Sequence, residues 1–178
     1  YLAIPCEKEK LHEVAKTLRL INCKGLNVTI PHKNEILKAC NKLTTIANEI
    51  QAVNTLIPAK NNEWGGANTD VEGFLIPLKN EKLTNQNVII IGCGGSARAV
   101  IMGLFSLKVK KITIIGRNEI SMQLFMNDMN HLSMKHNTII KGINHKKLNI
   151  RSYIEEASLI INTTPIGMNN KNNRKEDI

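Results

Sequence analysis

The sequence predicts an α/β protein in two parts, the second of them a doubly wound parallel sheet. Three observations carry that prediction. Asn87-Val88-Ile89-Ile90-Ile91 is a β-branched run without a polar break, as expected of a strand buried on both faces. A glycine-crowded turn and a small-residue helix start follow it at once, at Gly92 to Val100. From about Glu81 onward, strand patterns alternate with helix patterns, which argues for parallel strands joined by helical crossovers.

The elements follow in order. Tyr1 to Cys6 is expected to be a strand. Leu11, Val14, Ala15, Leu18 and Ile21 recur at helical spacing, predicting an amphipathic helix over 7–22 that Gly25 ends. Residues 26–30 alternate as a strand, which Pro31 breaks, and Ile36, Leu37, Cys40 and Leu43 form the apolar face of a second helix. Thr44 or Thr45 caps a short helix reaching Ile50. Residues 53–58 and 64–67 are strands around a polar turn, and a helix follows over 73–78. The polar stretch 79–86 divides domain 1–80 from domain 81–178, each expected to be incomplete at its outer end. Beyond the glycine turn come a strand at 112–115, a helix around Ile120 to Leu132, a weak strand at 138–141 and a firmer one at 159–161. The methionines of that helix are read as core filler and surface.

Composition narrows the function. The 178 residues carry a net charge of +9, but the lysines are dispersed and no aromatics interleave them, which argues against nucleic acid. A basic surface also draws small anions. Aromatics make up only 3% of the chain, so aliphatic residues must fill the core. No apolar run approaches the ~20 residues of a membrane span. The four cysteines form no C-x-x-C pair and no metal-ligand cluster with histidine, so a reducing cytoplasmic setting and no metal are expected.

Gly92, Gly94 and Ala97 satisfy the G-x-G-x-x-G/A dinucleotide fingerprint. The first glycine permits the turn, the second lets backbone approach a pyrophosphate, and the third small residue lets the helix lie close on the strand. A helix N-terminus offers unpaired N–H groups to the same anion. At the end of the next strand stand Gly116 and Arg117 in place of a ribose-binding acid, which favours a 2′-phosphate and hence NADP over NAD. Asn27, Thr29, Lys33, Asn54, Asn68 and Asp70 supply polar groups suited to a small polyhydroxylated acid. Lys33, near a helix start, wants a compensating carboxylate, and Asp70 is the best candidate.

Five ordered blocks then carry a resemblance. Residues 25–33 (Gly-Leu-Asn-Val-Thr-Ile-Pro-His-Lys), 52–56, 66–70, 92–98 and 162–168 resemble, in the same order, the signatures of the shikimate dehydrogenase family. The resemblance implies an amino-terminal α/β substrate domain followed by a Rossmann-like NADP-binding domain. It also implies NADPH-dependent, reversible reduction of 3-dehydroshikimate to shikimate. Carried over residue by residue, Lys33 and Asp70 form the catalytic pair, and Asn27, Thr29, Asn54 and Asp70 hold the ring hydroxyls with Lys33. Gly92, Gly94, Gly95, Ser96 and Ala97 take the pyrophosphate, Arg117 the 2′-phosphate, and Asn162, Thr163 and Met168 complete the nucleotide side. The expected partner is the small substrate alone, with no nucleic acid or membrane, and the state a monomer or homodimer. Where the family typically shows Asn-Arg-Thr, this chain has Gly116-Arg117-Asn118. Its amino-terminal serine pair is expected upstream of Tyr1, and a substrate-contacting glutamine beyond Ile178. The alternatives are a quinate/shikimate type using NAD or NADP, a fusion with a dehydratase, and a non-catalytic NADP-binding remnant.

Overall fold

The structure, a computed structural model, describes residues 2–147 and 150–167. Tyr1 and Met168 therefore lie outside the described residues. The helix α1 (Leu11–Leu20) follows a short 3-10 turn at Lys8–Lys10 and buries Ala15. It is stopped by Asn22 in the left-handed region (φ 63°), three residues before the glycine expected to do so. Arg19 lays its guanidinium over the Trp64 ring and donates to the Glu63 and Ala59 carbonyls, while Trp64 Nε1 donates to Ala15 O at 2.7 Å. These contacts pin α1 to the hairpin of β3 (Thr55–Pro58) and β4 (Trp64–Ala67).

The first sheet has the order β1-β3-β4-β2, where β1 is Leu26–Asn27 and β2 is Lys42–Leu43. Three expectations fail in this half. Residues 2–6 form no strand, because they join no ladder; the strand at 26–30 is only two residues long, with Val28 N–H still reaching Asn54 O before the chain turns at Thr29–His32. The helix after Pro31 is a single 3-10 stretch, Glu35–Ala39. Cys40 is already extended and Leu43 lies in β2, because Asn41 N–H and Thr44 N–H bond to the Trp64 and Gly66 carbonyls. Pairing with β4 thus overrides the local helical pattern. The helix α2 (Thr45–Ile50) starts where expected, with the Thr44 hydroxyl accepting from Ala47 N–H. The helix α3 (Asp70–Leu75), continued by a 3-10 turn to Leu78, starts three residues earlier than the sequence suggests.

The second sheet is wholly parallel with the order β7-β6-β5-β8, where β5 is Asn87–Ile91, β6 is Lys111–Gly116, β7 is Ile139–Asn144 and β8 is Leu159–Asn162. Helix α4 (Gly95–Ser106) links β5 to β6, and α5 (Glu119–Lys135) links β6 to β7. A further helix, α6 (Ile150–Glu155), which the sequence did not suggest, precedes β8. The chain therefore winds outward from β5 through β6 to β7, then returns to the other side of β5. The switch point between β5 and β8 is where such sheets bind ligands, beyond the carboxyl ends of their strands.

Two cores result. Ala15, Ile36, Ala47, Val53, Leu56 and Trp64 form the first. The second holds Val88, Ile90, Ile101, Leu104, Ile112, Ile114, Phe125, Met129 and Leu132, and it also takes in Ile50, Ala52 and Val71 from the first half. Of the α5 methionines, Met129 is core and Met134 is 83% exposed, as expected of filler and surface. Among the described residues no helix is long and apolar enough to cross a membrane.

Candidate active site

Lys33 stands in the turn after β1, Asn54 just before β3, and Asp70 in the first turn of α3. Backbone bonds fix their frames. Lys33 O accepts from Val53 N–H at 2.8 Å, and Asn54 N–H reaches Ala67 O at 3.0 Å. The side chains then converge. Lys33 Nζ donates to Asp70 Oδ2 at 2.7 Å, and Asn54 Nδ2 donates to Asp70 Oδ1, also at 2.7 Å. The lysine side chain is only 12% exposed and the aspartate 34%. Buried charges need partners, and each supplies the other's.

Asn54, 7% exposed, is used fully: its carbonyl accepts from Thr69 N–H and from the Thr55 hydroxyl. Its amide donates to Asp70 Oδ1 and to the Thr69 hydroxyl, so it lies directly against the carboxylate. Asn68 donates to Ala52 O and accepts from Asp70 N–H. Asn27 and Thr29 are exposed and line a cleft of about 480 Å³ with Leu11, Val28, His32 and Ile36.

The glycine turn meets the same place. Gly92 has φ +104°, and a Cβ there would lie 2.7 Å from Thr163 Oγ1, so only glycine fits. Thr163 itself is tied down, with N–H and hydroxyl both donating to Ile91 O. Gly94 caps α4 in extended conformation, and a Cβ there would meet nothing within 4 Å. Ala97 is fully buried under the helix. Asn162 Oδ1 accepts from the Thr164 N–H and hydroxyl, and its amide donates to Ile166 O, so it shapes the loop after β8. Burial pushes the Cys93 thiol up, against the opposing pull of Arg98, so the loop carries a neutral thiol rather than an anion.

Open space at Gly94, in front of the N–H groups that start a twelve-residue helix, fits a pyrophosphate. Arg117 is exposed at the end of β6, next to Asn118, whose side chain caps α5 by accepting from Ser121 N–H. A carboxylate does stand nearby, two residues on: Glu119, which accepts from the Asn144 amide at 3.2 Å. Among the described residues no group of three His, Cys, Asp or Glu side chains could hold a metal.

Two features escaped the sequence. Arg98 is 8% exposed, donates to Ile50 O and Asp128 Oδ2, and covers the Phe125 ring. It ties α4 to α2 and α5, and its place in the glycine motif was the only available hint. The other is Ser96, whose hydroxyl accepts from Lys33 Nζ at 3.3 Å across 63 positions of sequence.

Residues 1–56 match the family model described as the shikimate dehydrogenase substrate binding domain. A shikimate dehydrogenase (NADP(+)) of Prochlorococcus marinus (strain MIT 9515) is 49% identical over 172 residues, covering 94% of this chain and 57% of that protein. One of Nostoc sp. is 35% identical with the same coverage. The crystal structure of shikimate 5-dehydrogenase from Listeria monocytogenes in complex with shikimate and NAD superposes with a TM-score of 0.75 at 27% identity, covering 94% of this chain and 59% of the other. A shikimate dehydrogenase in complex with NADP+ gives a TM-score of 0.78 at 28% identity, covering 100% of this chain and 60% of the other. The chain thus spans a little under three-fifths of the length of the curated relatives it matches.

Proposed function

The chain belongs to the shikimate dehydrogenase family, and from that premise we propose that it carries the reacting groups of an NADPH-dependent reductase converting 3-dehydroshikimate to shikimate. The observation that carries the proposal is the Lys33–Asp70 pair at 2.7 Å, held beside the glycine turn. Reducing a ketone needs hydride at carbon and a proton for the emerging alkoxide. Gly92 to Ala97 would hold the pyrophosphate of NADPH and Arg117 its 2′-phosphate, and the cofactor bound there would supply the hydride. Everything else falls to the chain.

An ammonium has three N–H donors. Lys33 spends one on Asp70 and one on Ser96, and the third has no protein partner among the described residues. That N–H points the carbonyl oxygen, stabilises negative charge as it develops and hands over its proton. Asp70 holds the ammonium by charge, and Asn54 holds Asp70. The lysine, left neutral after the transfer, regains a proton from solvent. In the oxidative direction the same amine takes the proton from the shikimate hydroxyl.

Under this proposal residues 1–80 are the substrate-binding part and 81–178 the NADP-binding part, and Asn27 and Thr29 reach the ring hydroxyls. The protein acts as a monomer or homodimer, and its four free cysteines suit a reducing cytoplasm. The test follows NADPH absorbance as the full-length protein reduces 3-dehydroshikimate, beside its Lys33→Ala variant. The expected result is turnover in the parent and its loss in the variant with NADPH binding retained. A parent that binds NADPH but leaves 3-dehydroshikimate untouched would overturn the proposal.

A further inference from the structure

We infer that Ser96 is a positioning residue for Lys33, not primarily a phosphate ligand, so that the glycine turn sets the lysine as well as the cofactor. The inference rests on the function proposed above. Two contacts carry it. At the head of the side chain, the Ser96 hydroxyl accepts from Lys33 Nζ at 3.3 Å. At the stem, the backbone of Gly95 lies so close that a Cβ there would fall 3.0 Å from Lys33 Cβ and 3.4 Å from its Cδ. Asn34 Oδ1 would lie 3.3 Å away as well, so Gly95 packs against Lys33 and its neighbour Asn34, whereas Gly94 faces open space.

A lysine chain is long and loses much rotamer freedom when held in one geometry. Asp70 alone fixes the distance of the ammonium but leaves it free to swing about that one contact. A second acceptor on α4, a different element from α3, removes the swing and aims the remaining N–H. The oxygen that does this sits in the first turn of α4, where the helix is expected to meet the cofactor phosphates. Hydride and proton must reach adjacent atoms of one substrate. Building both delivery points on the same turn keeps their spacing fixed.

The test compares Ser96→Ala, Ser96→Thr and parent in the full-length protein, after checking that their thermal midpoints agree. In Ser96→Ala, kcat falls about tenfold while the KM for NADPH stays within about twofold, and threonine, which keeps the hydroxyl, restores kcat. A second readout needs no turnover: acylation of the Lys33 amine by acetic anhydride, followed by peptide mass spectrometry. The amine reacts on the order of threefold faster in Ser96→Ala than in the parent, and at the parent rate in Ser96→Thr. Equal acylation rates in all three proteins overturn the inference, as does a raised KM for NADPH with kcat unchanged, which would make Ser96 a phosphate ligand. If the parent shows no turnover, the proposed function fails. The acylation rates then still decide the role of Ser96 by themselves.

Discussion

Replacing Asp70 with asparagine keeps the shape of the side chain and removes its charge, and the geometry leaves the new amide no good orientation. Both carboxylate oxygens are taken, Oδ2 by the Lys33 ammonium and Oδ1 by the Asn54 amide, each at 2.7 Å. An asparagine has one acceptor oxygen. Whichever way it turns, its NH2 group faces another donor, either the ammonium or the Asn54 amide. One charge-assisted bond is lost outright and the other becomes neutral, and such bonds are worth ~1.5–3 kcal/mol when well buried. Asp70 is 34% exposed, so water recovers part of that loss, and we expect Asp70→Asn to cost about 2 kcal/mol of folding stability. Trp64, the chain's single tryptophan and 2% exposed, provides the fluorescence signal for urea unfolding. A double-mutant cycle with Lys33→Met isolates the pair, with an expected coupling of about 1–2 kcal/mol. Under the proposed function, kcat of the full-length protein falls about a hundredfold, because the ammonium loses the charge that holds it. A stability change below about 0.5 kcal/mol together with zero coupling would refute the argument.

Gly92→Ala forces a side chain onto a φ of +104° and into Thr163, so it should cost about 1–3 kcal/mol and weaken NADPH binding, read by thermal midpoint and NADPH fluorescence. Arg98→Met keeps the stem's packing but strands the Ile50 carbonyl and frees Asp128, and urea unfolding should show a loss of about 3 kcal/mol. Burial pushes the Cys40 thiol up to about 11 from an ordinary 9.0. Below pH 9.0 the thiol is protonated folded or unfolded, whereas between 9.0 and about 11 only the unfolded chain releases its proton. Stability should therefore fall as pH rises through that window, and Cys40→Ala should flatten the urea midpoint against pH there.

The two central strands of the parallel sheet were legible because each is a short run dominated by isoleucine and valine, unbroken at 88–91 and interrupted at 112–115 only by Thr113, which is β-branched and buried like its neighbours. The turn that follows β5 was legible for a different reason: glycine marks conformations that other residues resist, and Gly92 has one. Residues 31–43 misled, since their apolar spacing is helical throughout while the backbone from Asn41 onward is claimed by β4 more than twenty positions away. No window of sequence contains both partners. The same limit hid the contact of Ser96 with Lys33, which forms only where α4 meets the turn after β1. Lys33 and Asp70 could be paired in advance by charge logic alone. The bond from Asn54 to Asp70 could not, because an amide carries no charge to single out its partner.

Helix α4 belongs to two neighbourhoods. It roofs the parallel sheet, and its other flank takes α3, with the Phe74 ring so close to Gly103 that a Cβ there would fall 2.6 Å from Cδ1. This has a consequence for swapping parts between relatives. A chimaera spliced at 79–86, the obvious seam in the sequence, would bring in a foreign α4 while keeping the native α2 and α3 that must fit against it. Ala99 and Gly103 are then no longer matters for one half alone. A graft that travels well must carry the facing surface of Ile50, Val71 and Phe74 along with the half that contains the parallel sheet.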